Sequence, residues 1–302
     1  MTSTQKVESE RNYVLITPIK NELQQLSQLI RTVLGQSQRP LIWIIVDGRS
    51  SDGSYETARS MTEKYDWIHI VLQKKFHDVG YSHKNLFQAV NEGYEHARQI
   101  AVAGNLDFSF VGKTDSTPIL SSNYFEALAL ELIGNPKLAI VCGRQKSLAI
   151  SHPLEIRQSS LGEFAGFNDI RLYRRDFFES VGEYPLTYSS DTVLLIKAKK
   201  RGWDIMVTDK THSIEPRLGG STPGIWKGYQ LKGRALYSLG NTVSAVILNA
   251  IYHSIIFSPH YIGIPMLQGY MIGLMNKEER IDDEEVLTYY GNRSVLREML
   301  SH

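Results

Sequence analysis

Three aspartates stand where a chain of this pattern would place chemistry. Asp47 closes the apolar run Leu41 to Val46 (LIWIIV), Asp115 lies in Phe108 to Pro118 (FSFVGKTDSTP), and Asp191 opens the segment SDTVLLIKAKKRGW. In an open α/β sheet, ligands gather beyond the carboxyl ends of the strands, so carboxylates at those ends share one edge. Such a set suits a ligand with a base edge seeking an acceptor, ribose hydroxyls, a diphosphate that needs positive charge or a metal, and a sugar facing a general base. Each aspartate alone is also a common turn residue.

The elements that must position them alternate. Tyr13 to Thr17 reads as a strand and Pro18 to Glu22 as a loop, after which Leu23, Leu26, Ile30, Val33 and Leu34 recur at helical spacing up to Gly35. Strands at Leu41 to Val46, Ile68 to Leu72 and Phe108 to Val111 alternate with helices beginning near Tyr55 and at Ser82, and right-handed crossovers then build a parallel sheet. Ser121 or Ser122 can cap a helix through Leu132, and Leu138 to Val141 is a further strand. Ser151 to Asn168 reads as irregular, Ile170 to Tyr173 as extended, and Arg174 to Val181 as a helix. Ser190 is the expected N-cap of a helix that ends at Gly202; Asp204 to Asp209 follows as a strand and Thr211 to Thr222 as a loop.

The net charge of +1 over 302 residues gives no basic footprint, which argues against nucleic acid as a partner. Cys142 is the single cysteine, so no intrachain disulfide forms. The opening MTSTQKVESERN lacks the apolar core of a secretory signal, and a cytoplasmic protein is expected. No CxxC pair, HExxH, GxGxxG or GxxxxGK[ST] occurs, which removes zinc-protease, classical dinucleotide and P-loop readings.

Four segments together resemble the family 2 glycosyltransferases, whose GT-A fold is a Rossmann-like, mostly parallel sheet flanked by helices. They are Thr17 to Glu22 (TPIKNE), Trp43 to Ser54 (WIIVDGRSSDGS), Val111 to Thr117 (VGKTDST) and Ser190 to Trp203, in family order and spacing. The resemblance implies that Thr17, Pro18 and Glu22 form a nucleotide cradle, that Asp47 accepts from the base while Asp52 braces its own turn, and that Lys84 reaches the base or phosphates. It makes Asp191 the general base of an inverting transfer from a UDP, GDP or dTDP sugar. One departure stands out: the family's Asp-x-Asp is here Asp115, Ser116, Thr117, and a threonine hydroxyl is a poor ligand for Mg²⁺ or Mn²⁺. Divalent metal would then rest on Asp115, His212 and the diphosphate, or Lys84, Lys113 or Arg217 would supply the positive charge instead. A noncatalytic nucleotide-sugar-binding protein that kept the fold is the alternative reading.

The chain divides at about residue 220 into this domain (1–220) and a C-terminal helical region (221–302). Between Arg234 and Lys277 there is no Asp, Glu, Lys or Arg, and Ser258, Pro259 and Gly263 interrupt the stretch. A membrane span, a helical hairpin lying in the membrane surface, and a buried or dimerising subdomain that would make a homo-oligomer all remain open. His212, Arg217, Lys232, Gly233, Tyr237, Gly269 and Tyr270 are similar to the pattern of family members that act on lipid-linked or polysaccharide acceptors. That likeness implies a peripheral enzyme on the inner face of the cell membrane.

Overall fold

A computed structural model describes residues 11–75, 83–147, 164, 166–216, 224–256 and 259–291. Strands β1 (Tyr13–Ile19), β2 (Ile42–Asp47), β3 (Ile68–Leu72) and β4 (Phe110–Lys113) pair in parallel in the order β3-β2-β1-β4. They are joined through α1 (Leu23–Leu34), α2 (Ser54–Thr62) and α3 (His83–Ala103). Every residue of β1 and β2 is buried. Strands covered on both faces need apolar side chains at consecutive positions, which is why these runs show no alternation. Val14, Ile16, Ile44 and Val46 pack with Val90 and Tyr94 of α3 on one face; Leu15, Trp43 and Ile45 pack with Leu26 and Leu29 of α1 on the other.

Past β4 the sheet changes direction. Strand β7 (Arg171–Arg174) runs antiparallel between β4 and β6 (Leu138–Ser147), and β8 (Asp204–Glu215) lies parallel to β6. The short β5 (Ile119–Leu120) closes the eight-stranded sheet antiparallel to β8. Helices α4 (Tyr124–Gly134), α5 (Arg175–Ser180) and α6 (Ser190–Lys200) flank this half. The α/β class with a mostly parallel, helix-flanked sheet is as expected.

Several boundaries differ from the sequence reading, each for a physical reason. β1 continues through Pro18 to Ile19. Ile16 accepts from Thr114 on the β4 side, so Pro18 would turn its N–H to that same side, where β4 has ended; the missing donor costs nothing there. β8 runs on to Glu215 instead of giving way to a loop at Thr211. Its pairing with β6 slips after Gly143↔Thr208 and resumes at Arg144↔His212, so Asp209 to Thr211 bulge and the strand recovers. Helix α4 begins after Asn123, and Ser121 instead bonds to His212. Ser189 occupies the N-cap position of α6, while the Ser190 hydroxyl turns back to the carbonyl of Thr187 at 3.0 Å. Of the segment expected to be irregular, residues 151–163 and 165 lie outside the described residues, as do Ser82 and Arg217.

The C-terminal region forms α7 (Ile225–Ser238), α8 (Val243–Ile256), α9 (Gly263–Met275) and α10 (Glu284–Gly291). The uncharged stretch is thus divided into helices of 14 and 13 residues, and among the described residues no helix is long and apolar enough to cross a membrane. Helices α7 and α9 touch backbone to backbone. A Cβ on Gly233 would lie 1.9 Å from the Met266 carbonyl oxygen, and one on Gly269 would lie 1.9 Å from that of Gln230. Tyr237 and Tyr270 flank the contact with rings 5.6 Å apart, and the Tyr270 hydroxyl donates to the Asn241 carbonyl at 2.8 Å. The Gly and Tyr positions singled out by motif are therefore helix-packing residues. Beyond them Asp283 pairs with Lys197 of α6 at 2.7 Å, and Glu285 of α10 pairs with Arg201 at 3.0 Å.

Gly269→Ala should destabilise the protein by about 1–3 kcal/mol in urea denaturation, because the clash is with backbone and cannot be relieved by a rotamer. Gly134→Ala is the control: nothing lies within 4 Å of its added Cβ, so it should be neutral or slightly stabilising.

Candidate functional site

The carboxyl ends of β1, β2 and β4 are stitched into one surface. Asp52 accepts from the Leu23 N–H at 3.0 Å and from the Ser54 N–H at 3.0 Å, bracing its turn against the start of α1 and holding its own pKa low, chiefly through Ser54. The Ser54 hydroxyl accepts from the Glu22 N–H at 3.0 Å, and the Glu22 carboxylate accepts from the Ser116 hydroxyl beyond β4. Glu22 thus joins three loops. Thr17 is buried, its hydroxyl accepting from the Trp43 indole at 3.0 Å, and Pro18 is buried beside it.

Asp47 is fully buried at the end of β2. One carboxylate oxygen accepts from the Ser50 N–H at 2.9 Å; the other is buried with no hydrogen-bond partner among the described residues. A buried acceptor of this kind is costly unless something donates to it. The Asp47 carbonyl accepts from the Gln73 N–H at 2.9 Å, and the Gln73 amide donates to Asn85 at 2.8 Å, which ties the first turn of α3 to the same corner. Lys84, in that turn, ion-pairs with Glu279 of the C-terminal region at 2.8 Å.

At the centre is a layer of charge. Lys113 and Arg171 are register partners across β4 and β7, and each side chain is only 3% exposed. Lys113 reaches Asp115 at 2.7 Å. Arg171 donates to the main-chain carbonyl of Asp191 at 2.8 Å and to its carboxylate at 3.3 Å, while its Nε reaches the Asn168 carbonyl at 2.5 Å. Burial disfavours both cations, but Asp115 and Asp169 raise Lys113, and Tyr173, Asp191 and Asp169 raise Arg171, so both remain charged. Burial raises the Asp115 pKa; Lys113 pulls it down, and Asp169 and Asp191 push it up again. Asp115 is 37% exposed and Asp191 28%, so both residues are partly open to solvent beside buried cations, while Asp115 Oδ1 is itself buried against Lys113. Arg171 and Asp169 were not among the candidates read from sequence. The signal was an arginine at a core position of the short strand IRLYR, where a charge is buried only when paired.

Among the described residues, the donors that the resemblance implies for Mg²⁺ or Mn²⁺ do not form a ligand set. Asp115 is engaged by Lys113, and Thr117 donates to Glu215 at 3.1 Å. His212 lies three residues back along β8 from Glu215, about 10 Å away in strand geometry, with its Nδ1 3.2 Å from the Ser121 hydroxyl. Among the described residues no group of three His, Cys, Asp or Glu side chains could hold a metal ion.

No family model and no curated protein matches the chain. Solved structures do. The mannosyltransferase PcManGT from Pyrobaculum calidifontis, in complex with GDP-Man and Mn²⁺, aligns with a TM-score of 0.53 at 13% identity over 96% of this chain and 79% of that one. S. aureus TarS aligns at 0.52 and 13% identity, covering 82% of this chain and 44% of its own. GalNAc-T7 with UDP, GalNAc and Mn²⁺ aligns at 0.57 and 11% identity, over 96% of this chain and 57% of that one. These are GT-A glycosyltransferases, and the chain has their fold.

Asp115→Ala should cost about 2 kcal/mol in urea denaturation, less than a fully buried pair because Asp115 is partly exposed and Asp169 remains. Adding Lys113→Met should recover most of that loss, since the stranded cation is then gone.

Proposed function

We propose that the chain is an inverting glycosyltransferase that moves a sugar from a UDP, GDP or dTDP donor to a hydroxyl of a lipid-linked or polysaccharide acceptor, with Asp191 as general base. The observation that carries this reading is Asp191 itself: a partly exposed carboxylate in the first turn of α6, gripped by Arg171 and sharing a charge layer with Asp115 at the sheet edge. Three GT-A structures with GDP-Man, UDP-GlcNAc, or UDP and GalNAc bound support a sugar-nucleotide ligand for the fold.

Asp47 offers to an N–H of the base the oxygen that has no partner among the described residues, and Thr17, Pro18 and Glu22 shape the cradle around it. Asp115 takes the ribose or sugar hydroxyls, held by Lys113. Lys84 and Arg217 supply positive charge toward the diphosphate. In the transfer, Asp191 takes the proton of the acceptor hydroxyl as that oxygen bonds to the anomeric carbon. The bond from that carbon to the diphosphate breaks, and its electron pair leaves with the nucleoside diphosphate. Since the donor set among the described residues does not fit a divalent ion, no step of this reaction is assigned to one.

The exposed face of α8 and α9 supports a membrane-held acceptor. Val243, Ile247, Ile251 and Ile255 recur every four residues and are exposed, joined by Ile264, Met271 and Met275. The Trp226 and Tyr261 rings lie 6.0 Å apart beside exposed Lys227, and Lys277 stands two residues beyond Met275. An apolar stripe with aromatic and cationic rims suits an anionic lipid surface on the cytoplasmic side.

Asp191→Asn should lower release of nucleoside diphosphate from a panel of sugar nucleotides by about 10²–10⁴-fold, with donor binding retained in calorimetry. Unchanged turnover would overturn the assignment of the base, and donor binding with no transfer by the wild type would favour a noncatalytic binder. Wild-type protein should float with phosphatidylglycerol vesicles, and Ile251→Glu with Ile255→Glu should remain in the soluble fraction; persistence as a dimer without vesicle binding would instead make the stripe a contact between copies.

A further inference from the structure

Lys113 and Arg171 form an arrangement that sheet packing alone does not require. Two cations directly opposite on neighbouring strands repel each other, and both are withdrawn from water. An apolar pair would join β4 to β7 at lower cost. Their presence is accounted for by what they hold: each meets one of the two carboxylates assigned to the reaction, Lys113 at Asp115 and Arg171 at Asp191.

We propose that Arg171 is a positioning residue for Asp191, fixing both the place of its backbone and the direction of its carboxylate. The inference rests on the reading of Asp191 as the base. One planar guanidinium spans two groups of the same residue, Nη1 at the main-chain oxygen and Nη2 at Oδ2, and its Nε is fixed in turn by the Asn168 carbonyl. The Phe167 ring lies 5.7 Å from the guanidinium carbon. A fork of fixed shape, held from behind, leaves the carboxylate little freedom to rotate. Lys113 opposite, with Asp115 and Asp169 around it, blocks the guanidinium from swinging toward β4, since that would bring like charges together. A lysine in place of Arg171 would keep the charge and lose the fork.

The test uses the full chain, the sugar nucleotide best bound from a panel of UDP, GDP and dTDP sugars, and a membrane lipid extract as acceptor. Turnover is expressed per donor-binding site counted by calorimetry, so that misfolded protein does not enter the rate. Arg171→Met should lower kcat by 10- to 100-fold while donor Kd stays within twofold, and Arg171→Lys should recover part of the loss. A role in folding alone would reduce the number of binding sites and the melting temperature and leave kcat per site unchanged. Should Arg171→Met fail to fold, Arg171→Lys decides: a tenfold lower kcat per site is expected, and a value within twofold of wild type overturns the proposal. The outcomes separate it from the base assignment. Full activity in Asp191→Asn removes both, whereas an inactive Asp191→Asn beside a wild-type-like Arg171→Lys removes this proposal alone.

Discussion

Burying two like charges opposite one another is the constraint around which this site is built. Lys113 ends the parallel half of the sheet and Arg171 opens the strand that reverses it, so the seam between the two halves carries a double positive charge with almost no access to water. The seam holds only if carboxylates converge on it. Asp115 comes from the loop after β4, Asp169 from the approach to β7, and Asp191 from the start of α6. Three separate pieces of chain are thereby drawn to one place by a single electrostatic need.

Around that seam the loops do less chemistry and more fastening. Glu22, Asp52 and Ser54 join the turns after β1 and β2 through main-chain donors and reach the turn after β4 through the Ser116 hydroxyl, and Thr17 fastens Trp43 beneath them. Asp47 is the exception, because its second oxygen has no partner among the described residues. An edge so heavily cross-linked presents a preformed surface to a ligand, which lowers the ordering cost of binding.

Much of this was legible in the sequence. The runs at Tyr13, Leu41 and Phe108 read as covered strands, and their ends put Asp47 and Asp115 on one edge. Asp191 was equally plain from the polarity of its helix, with acid at the start and Lys199, Lys200 and Arg201 at the end. What could not be read depends on register and strand order. Arg171 meets Lys113 because β7 is inserted between β4 and β6, a placement that no local pattern encodes. Lys84 meets Glu279 from far along the chain, a pairing that no local pattern encodes. The extension of β8 past Asp209 was hidden by its polar composition, which reads as loop until β6 is seen to pair with it after the bulge. The Gly and Tyr motif of α7 and α9 was visible, but its purpose was not: spacing does not reveal that two backbones touch.

That contact has a mechanical meaning. Where Gly233 meets the Met266 carbonyl and Gly269 that of Gln230, backbone rests on backbone, so at those two points α7 and α9 have no rotamers through which to swell or slide. At its other end α7 leans on the approach to Asp191, where Arg234 lies 5.5 Å from the Tyr188 ring and Ser238 meets Thr187 at 3.3 Å. The helix pair is thus a rigid spacer of set length. On the proposed reading, a surface met by the apolar stripe of α8 would sit at one height from Asp191, and an acceptor hydroxyl would have to be presented at that height to reach it.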